Sequence, residues 1–418
     1  MTARPYRIVM LLENETFPED TRVYLEATAL AEAGYDVTVV CPRDEHPLGH
    51  AMVEGVRVYR YPQPWEGRGL IHYVSEFAYS AFIGFVFVFY ILLRRGFDAI
   101  HVHTPPDMNS VVGVFFRMLG KKYVLDMHDL SPELYQAQRD GEGSKTVGKV
   151  LSWFERFACR WANRLIATNE TQQRLQVSRG GAKAEDCYVV RNGPNEMFMA
   201  DTQPREELRA KKPFLLGYVG MIGTQDGVDH FVHMLHELKK QRDDFLGVVV
   251  GKGPALASLE ELAEKLDLGS HVHFTGLVPF NDVPGYIASF DICITPDPSN
   301  PYNDSCTTIK TMEYMALRKP TVSFATTENR ITAGDAAVYA QDNSPAELAR
   351  LTNELLDDAT KRDEMGQSGR TRIERFLSWE HQQKQLIALY DSLSGRVDRG
   401  APAEHHPDIH ESKQPTGT

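Results

Sequence analysis

The chain has 418 residues, more than the roughly 250–300 that a single hydrophobic core can organise, so we expect two domains. Apolar residues make up 42% and charged residues 24%, a balance that excludes general disorder, collagen and coiled coil. The net charge of −12 disfavours nucleic acid as a partner, because phosphate neutralisation supplies most of the affinity for nucleic acid.

Predicted strands and helices alternate through the first half of the chain. Residues 7–12 are a continuous apolar run, typical of a parallel strand that is buried on both faces. A helix at 22–33 and a strand at 36–41 follow, and the three elements together form a βαβ unit. The alternation continues with strands at 98–103, 123–128, 164–168 and 188–191 and with helices at 108–119 and 147–162.

An uncharged apolar run, residues 77–93, interrupts this alternation and is followed at once by Arg94 and Arg95. Its length is at the lower limit for crossing a bilayer. Two interpretations stay open. The run is either a helix buried in the first domain, or a helix that lies in the membrane interface with both arginines at the lipid headgroups.

The alternation restarts after a polar stretch at 201–212, which is typical of a linker between domains. We therefore expect two doubly wound α/β domains that face each other across a cleft. The predicted divisions are an N-terminal domain (1–205), a C-terminal domain (206–378), a closing helix (379–395) and a disordered polar tail (396–418). The C-terminal domain has predicted strands at 214–219, 246–250, 272–275, 292–295 and 321–324 and helices at 228–239, 256–266 and 310–317.

The five cysteines are scattered and form no C-x-x-C pair, a pattern that is typical of a reducing compartment. The apolar run at residues 8–12 is too short for a signal peptide. We therefore expect a cytoplasmic protein, peripheral at the inner face of the membrane if residues 77–95 contact lipid.

Glycine-rich turns follow two predicted strands of the second half. Residues 220–227 join a strand to a helix and contain three glycines, and residues 251–254 follow the next strand. Such turns leave backbone N–H groups at the positive end of a helix dipole, which suits a diphosphate. By contrast, the first strand lacks the G-x-G-x-x-G of dinucleotide-binding enzymes, and the chain has no P-loop, H-E-x-x-H or G-x-S-x-G motif.

Lys310 and Glu313 are three residues apart in the predicted helix at 310–317, so they share one face of its first turn. A lysine at this position can hold phosphate oxygens, and a carboxylate one turn further can accept two hydrogen bonds from a vicinal diol such as ribose. The alternative is a surface ion pair with no ligand.

With these motifs the chain resembles the retaining glycosyltransferases of family four, which have the GT-B fold, from about residue 7 to about residue 393. Residues 378–380 also resemble the start of the C-terminal helix that packs on the first domain in that family. The segments that carry the resemblance are FPEDTR at 17–22, DMHD at 126–129 with Pro132 and Glu133, RNG at 191–193, the turn at 220–227 and the segment at 310–320.

The resemblance implies a nucleoside-diphosphate sugar, with UDP or GDP, in the second domain, an acceptor in the first, retention of configuration and no metal. By position, Glu313 matches the glutamate that binds the ribose, His128 the histidine near the donor sugar, and Val278 lies in the loop that meets the base. The catalytic candidates are His128, Lys310 and Glu313, and the donor-binding candidates are Gly223, Thr224, Gly227, Lys252, Val278, Ser305, Thr308, Ile309 and Arg330.

Two departures from the family pattern affect the donor site. Ser305 stands where the family's E-x7-E signature begins with a glutamate, and Met221 and Asp226 stand where the diphosphate turn has arginine and lysine. The developing charge on a diphosphate leaving group needs a cation. Lys310 is the expected substitute, with Arg330 and Lys252 as weaker candidates. One subgroup of the family has this Ser-x4-Lys-x2-Glu pattern.

Asp20 and Arg22 lie where the family's first loop meets the acceptor or a phosphate, but a helix N-cap and a surface charge explain them equally well. His128 is expected to donate a hydrogen bond to a sugar hydroxyl or to the departing phosphate; the alternative is a strand-end histidine bonded to Asp129. Structural roles are expected for His101 and His103.

The sequence thus predicts a hexosyltransferase of polysaccharide biosynthesis that acts on a saccharide or lipid-linked saccharide. Two other interpretations stay open. A sugar-nucleotide epimerase of GT-B fold would need several acid/base side chains, and a non-catalytic nucleotide-sugar-binding protein would suit the replacements at Met221, Asp226 and Ser305.

Overall fold

The computed structural model of the chain covers residues 4–63, 70–139 and 141–396. These residues divide into two units, each built around one β-sheet. The first unit contains the chain up to Arg191, except for residues 136–142, and the segment that begins at Gln382. The second unit holds residues 136–142 and Asn192–His381. The predicted tail, residues 396–418, lies outside the described residues apart from Arg396.

The first unit contains an eight-stranded sheet. Its strands are β1 (Arg7–Leu11), β2 (Asp36–Pro42), β3 (Gly49–Val53), β4 (Val56–Tyr61), β5 (Ala99–Thr104), β6 (Lys122–Met127), β7 (Arg164–Ala167) and β8 (Cys187–Val189). The spatial order is β3-β4-β2-β1-β5-β6-β7-β8, and every neighbouring pair is parallel except β3 and β4. The order reverses beside β1, so ligands are expected where β1 and β5 end.

The predicted strands and helices of this half are present, and the sequence missed the antiparallel hairpin of β3 and β4. Most residues of β3 are exposed, so the strand lacks the apolar run that marks the others. Glu54 and Gly55 join the two strands with positive φ angles of 46° and 81°. The helices before Arg191 are α1 (Thr21–Glu32), α2 (Leu70–Arg94), α3 (Ser110–Met118), α4 (Ser131–Ala137), α5 (Lys145–Trp161) and α6 (Glu170–Ser178).

Helix α2 contains the apolar run at 77–93 and has two different faces. One face is buried, with Val88 and Ile91 in the core of the first unit and Phe85 packed edge-on against Phe115 on α3. The other face is exposed and carries Val74, Phe82, Val86, Phe89, Tyr90 and Leu93. The segment Val74–Arg94 is long and apolar enough to cross a membrane. Only 22% of its apolar stretch is buried inside the protein. The helix is therefore half core and half apolar surface.

The second unit contains a six-stranded parallel sheet. Its strands are β9 (Phe214–Val219), β10 (Phe245–Val250), β11 (Val272–Gly276), β12 (Ile292–Thr295), β13 (Thr321–Phe324) and β14 (Ala337–Ala340), in the order β11-β10-β9-β12-β13-β14. The helices after residue 191 are α7 (Glu196–Met199), α8 (Glu206–Arg209), α9 (Val228–Lys239), α10 (Leu256–Lys265), α11 (Val283–Ser289), α12 (Ile309–Ala316), α13 (Thr327–Ala333), α14 (Pro345–Leu356), α15 (Ala359–Arg372) and α16 (Trp379–Ser394).

Alternate residues of β9 enter two separate hydrophobic cores, one on each face of this sheet. Leu216 and Tyr218 belong to the core that includes α9 and α14, whereas Leu215 and Val219 belong to the core that includes α11 and α12. Helices therefore cover both faces, as the continuous apolar strands predict. The strand order reverses between β10 and β12, around β9, which defines the expected ligand edge of this unit.

The chain passes into the second unit after Arg191, before the domain boundary predicted at residue 205. The reason is that α7 and α8 pack with the second sheet: Phe198 and Leu208 share a hydrophobic core with Leu215. The polar composition of this segment concealed these two anchoring side chains.

Helix α16 is the closing helix that the sequence predicts, and from Gln382 onward it belongs to the first unit. Tyr390 is fully buried, and its ring centroid lies 5.7 Å from that of Tyr35. The Tyr35 hydroxyl donates a hydrogen bond of 2.6 Å to Asp391. Helix α16 therefore contributes buried side chains to the first unit.

Candidate active site

Three loops meet at the carboxyl edge of the second sheet, after β9, β10 and β12. Backbone hydrogen bonds join the first two, because the Gly220 N–H donates to Val250 and the Ile222 N–H donates to Lys252, each at 3.0 Å. Glycine is required at 251, where φ is 146° and a Cβ atom would lie 1.9 Å from the Gly220 carbonyl oxygen. This contact explains the glycine-rich sequences of both turns.

The third loop is fixed to the first by two further contacts. The Asn303 side chain donates a hydrogen bond of 3.0 Å to the Gln225 carbonyl. Gly227 has a φ of 64°, and a Cβ there would lie 2.3 Å from the Pro296 carbonyl oxygen. The turn at 220–227 is therefore built by close backbone approach on both sides, where side chains would not fit.

Lys310 lies on the first turn of α12 and points its ammonium into this edge. Its Nζ atom is 2.9 Å from Asp297 Oδ1, 4.0 Å from Asp226 Oδ1 and 3.4 Å from the Tyr218 hydroxyl. Burial alone would lower the pKa of Lys310, but Asp297, Tyr218 and Asp226 together raise it above its ordinary value. The side chain, which is 11% exposed, is therefore held in its charged form by its neighbours.

Asp297 is the residue of this site that the sequence analysis missed. It is 3% exposed, and its Oδ2 atom has no hydrogen-bond partner among the described residues. The available signal was its position, because it follows β12 directly between two prolines, at the carboxyl edge where ligands bind. Its contact with Lys310 spans an irregular loop whose course no local pattern predicts.

Asp226 has a second role in the turn that was expected to hold a diphosphate through its N–H groups. Its Oδ2 atom accepts a hydrogen bond of 2.9 Å from the Gly223 N–H, so that this donor is already engaged. Thr224 and Gln225 begin the 3₁₀ turn that ends at Asp226, so their own N–H groups have no partner inside it. The turn thus offers fewer free donors than the glycine pattern predicts.

Glu313 follows Lys310 by one turn of α12. Burial raises the pKa of Glu313 to about 7, and the Lys310 charge opposes this rise. The carboxylate has no hydrogen-bond partner among the described residues. It is therefore a partly exposed acceptor close to a cation, and not half of a surface ion pair, since Lys310 pairs with Asp297.

The other donor-binding candidates differ in their surroundings. Ser305 is buried and donates to the Tyr302 carbonyl at 2.8 Å, and the Thr308 hydroxyl donates to Asn329 at 3.0 Å. Arg330 on α13 donates to Gln341 and lies over the Tyr339 ring. Thr224, Lys252 and Ile309 are exposed, and Val278 packs partly buried against a hydrophobic core. Thr308 is the N-cap residue of α12, whereas the Arg330 guanidinium contacts Gln341 and Tyr339.

In the first unit, Arg22 is buried and bound on several sides. Its Nε and one terminal nitrogen each donate to the Asp126 carboxylate at 2.8 Å, and the other terminal nitrogen donates to the Val190 carbonyl at 3.0 Å. Glu26, one turn along α1, lies 3.2 Å away. These contacts give Arg22 a structural role, and its burial contradicts the surface-charge alternative. The expected acceptor contact of Arg22 stays a prediction.

Asp20 is the N-cap of α1, and its carboxylate accepts the Val23 N–H at 2.9 Å. This geometry is the helix-cap alternative that the sequence analysis left open. The hydrogen bond from Val23 explains Asp20 without an acceptor, and the expected contact of Asp20 with the acceptor stays a prediction.

His128 follows β6 directly in the first unit, with its side chain 21% exposed. Its Nε2 atom is 3.0 Å from Asp126 Oδ2 and 3.1 Å from His103 Nδ1. The carboxylate that holds His128 is thus Asp126, not the adjacent Asp129 of the structural alternative. His101 and His103 are buried behind it with stacked rings, and burial lowers the pKa of both.

The cluster behind His128 brings together four potential metal ligands, Glu26, His101, His103 and Asp126, whose ligand atoms lie within 4.8 Å of one another. The Arg22 guanidinium contacts both carboxylates, however, and supplies the positive charge that a cation would bring. The described residues therefore form a structural ion-pair cluster.

Comparison with known proteins adds two domain assignments. A glycosyl transferase 4-like domain matches residues 20–193, and a glycosyl transferases group 1 domain matches residues 199–372. The 2-deoxystreptamine glucosyltransferase of Streptomyces kanamyceticus is 25% identical over 324 residues, which are 73% of this chain and 81% of that protein.

Two solved structures share the fold over almost the whole chain. Sucrose-phosphate synthase from Thermosynechococcus elongatus has a TM-score of 0.75 at 18% identity and covers 94% of this chain and 100% of its own. HepE from Anabaena, solved in complex with UDP-glucose, has a TM-score of 0.67 at 15% identity and covers 92% of this chain and 99% of its own. The fold is of the GT-B class, as the sequence predicts.

Proposed function

The chain is a glycosyltransferase that joins a glycosyl transferase 4-like domain to a group 1 domain, and from this premise we propose its reaction. It transfers a hexose-type sugar from a UDP- or GDP-sugar to a saccharide, or lipid-linked saccharide, with retention of anomeric configuration. It belongs to the subgroup with Ser305, Lys310 and Glu313 in place of the E-x7-E signature. The product enters polysaccharide biosynthesis.

The observation that carries this proposal is the position of Lys310. A buried ammonium lies at the carboxyl edge of a doubly wound sheet, beside a glycine-built turn and one helical turn before Glu313. Open α/β sheets bind their ligands at this edge. We infer that Lys310 meets the diphosphate and that Glu313 accepts hydrogen bonds from the two ribose hydroxyls.

The Lys310 ammonium contacts two side chains, with Nζ 2.9 Å from Asp297 Oδ1 and 4.0 Å from Asp226 Oδ1. A bound diphosphate competes with these two carboxylates for the ammonium. We infer that the Lys310 ammonium pairs with the diphosphate in place of these carboxylates, because charge develops on the phosphate oxygens as the bond to the sugar breaks. Electrostatic stabilisation of such charge is usually the largest single contribution to catalysis.

The proposed mechanism is front-face substitution at the anomeric carbon. The acceptor oxygen bonds to this carbon while its bond to the diphosphate oxygen breaks on the same face, and the acceptor's proton passes to the departing phosphate. No side-chain nucleophile takes part. The reaction is proposed to require no metal, since Lys310 supplies the positive charge.

The test of function begins with donor binding. A thermal-shift panel of UDP-, GDP- and ADP-sugars is expected to show a shift with one UDP- or GDP-sugar, since a ligand at 100 times its Kd stabilises a protein by about 2.7 kcal/mol. Turnover with that donor is then followed by phosphatase-coupled release of phosphate, and the anomeric configuration of the product by NMR. Absence of any shift contradicts the donor site, and an inverted product contradicts retention alone.

The raised pKa of Glu313 predicts a pH-dependent donor affinity. A carboxylate accepts the ribose hydrogen bonds best when ionised, and the pKa of about 7 means that protons compete with the donor below pH 7. The donor Kd is therefore expected to be constant above pH 8 and to rise as the pH falls below 7, by about tenfold in all, the difference between a charged and a neutral acceptor. Calorimetry with an intact nucleotide sugar, whose diphosphate diester does not titrate in this range, measures this.

The control for this prediction is Glu313→Gln. Its neutral amide keeps one acceptor, so we expect about tenfold weaker donor binding at pH 8, the difference between a charged and a neutral hydrogen-bond acceptor. The Kd of this variant should not change between pH 6 and 8. An equally steep pH dependence in the variant would assign the titration to another group.

We further propose a cytoplasmic location with peripheral contact to the membrane through α2. Its exposed face carries Phe82, Val86 and Leu93, and the cationic Arg94 lies at its end, over the Tyr90 ring. An apolar helical face ending in basic residues suits the interface of an anionic membrane. Such contact would bring the first unit to a lipid-linked acceptor.

Flotation with liposomes that contain anionic lipid tests this contact. Wild type is expected to float with the liposomes, and Phe82→Glu with Leu93→Glu to remain largely in the soluble fraction, because these side chains are 66% and 72% exposed and no core contact is lost. Leu48→Glu makes the same change at another exposed leucine of the first unit and should float like wild type. Equal flotation of all three proteins excludes α2 as the contact.

A further inference from the structure

The two ring nitrogens of His128 have different surroundings. Nε2 points into the first unit, 3.0 Å from Asp126 Oδ2. Nδ1 has no hydrogen-bond partner among the described residues, and the side chain is partly exposed. The protein therefore fixes Nε2, and Nδ1 is available to a ligand at this edge of the first sheet.

Asp126 is held in its ionised form by the groups around it. Burial alone would raise the pKa of Asp126, but the Arg22 guanidinium and the two histidines hold it below its usual range. Glu26 lies beyond Arg22, and burial and the Asp126 charge raise the pKa of Glu26. The carboxylate that faces His128 is that of Asp126.

An ionised carboxylate at this distance decides the tautomer of a neutral imidazole. If Nε2 carries the proton, it donates to Asp126; if not, its lone pair faces a negative oxygen at 3.0 Å, which is repulsive. His103 does not change this choice, because its own Nδ1 lies 3.1 Å from the same oxygen and can donate there.

We propose that Asp126 is a positioning residue that holds His128 in its Nε2–H tautomer, so that Nδ1 accepts a hydrogen bond from a hydroxyl group of a bound saccharide. This inference rests on the proposed glycosyltransferase reaction. It reverses the role expected from the sequence, because a neutral His128 held in this way accepts a hydrogen bond through Nδ1 and does not donate one.

The experiment is NMR of the full-length, ligand-free protein labelled with [15N]histidine, with the His128 signals assigned by their loss in His128→Gln. In wild type we expect Nε2 to be protonated, with a slowly exchanging proton, and Nδ1 to be unprotonated. A protonated Nδ1 as the major form overturns the proposal without any further variant.

The second part replaces Asp126 together with the arginine it neutralises, so that no buried cation is left unpaired. In Arg22→Met/Asp126→Leu we expect the slowly exchanging Nε2 proton to disappear, kcat to fall at least tenfold and the donor KM to stay unchanged. Glu26→Gln, in the same buried cluster but without contact to His128, should keep the wild-type spectrum and kcat. If the double variant keeps the fixed tautomer and normal kcat, Asp126 has no positioning role.

These outcomes separate this inference from the proposed function. If no nucleotide sugar binds to wild type, the proposed function fails, although the tautomer can still be measured. If a donor binds and turns over but the tautomer does not depend on Asp126, only the positioning role fails.

Discussion

Replacement of Lys310 by methionine is expected to lower kcat by about 10²–10³-fold, the cost of removing one charge-stabilising donor from a transition state. Methionine keeps an unbranched apolar stem, but it has no charge for the departing diphosphate and no ammonium over the Tyr218 ring, where Lys310 Nζ lies 4.9 Å from the ring centroid. The effect should be larger on kcat than on donor KM, because the phosphate charge grows as the bond to the sugar breaks. Steady-state kinetics with saturating acceptor measures both.

This variant also affects stability, because it leaves Asp297 buried without its cation. Loss of one partner of a buried pair costs about 3–5 kcal/mol, so the single variant should unfold at a lower temperature. Lys310→Met/Asp297→Asn removes both charges and should recover most of that loss while kcat stays low. Near-normal kcat in the single variant, or recovery of kcat in the double variant, refutes the catalytic role of the charge.

Replacement of Arg22 by methionine is expected to lower the unfolding free energy of the first unit by about 3–5 kcal/mol. The change leaves the fully buried Asp126 without the two hydrogen bonds that neutralise it. Thermal and urea unfolding, followed by the fluorescence of Trp153 and Trp161 in this unit, measures the loss. The expected signature is a shifted midpoint, with donor KM unchanged.

Two comparisons test whether Arg22 acts through the fold or through an acceptor. Arg22→Met/Asp126→Leu replaces both partners by apolar side chains and should recover most of the lost stability. Asp20→Ala removes only the α1 N-cap and should cost about 1 kcal/mol. If Arg22→Met unfolds like wild type and only the acceptor KM rises, the structural assignment is wrong.

The sequence predicted most of the parallel strands and several of their helices, because a buried strand is a continuous apolar run and an amphipathic helix has a 3.6-residue pattern. It did not predict the short strand β14 or the helices α14 and α15. It missed the hairpin of β3 and β4, since an exposed edge strand has no such run. It also placed the domain boundary too late, because the few buried side chains of α7 and α8 lie in a polar stretch.

The candidate site also contains residues whose proximity the sequence predicts and residues whose proximity it does not predict. Lys310 and Glu313 were predictable as neighbours, because one helical turn relates them. The partners of Lys310 were not, because Asp297 and Asp226 reach it from separate loops whose meeting depends on backbone contacts such as that of Gly251 with Gly220. Likewise, the Arg22–Asp126 pair joins α1 to β6 across the sheet, which no local pattern reveals.

Helix α16 constrains the order in which the protein can be made. The first unit needs Leu386, Leu389 and Tyr390, which are fully buried but are synthesised after the entire second unit. Domains usually fold in the order of synthesis. Here the core of the first unit stays incomplete on the ribosome until α16 has been synthesised. A fragment that stops at Arg191 should accordingly depend on chaperones, and a separately supplied peptide covering α16 should rescue its solubility.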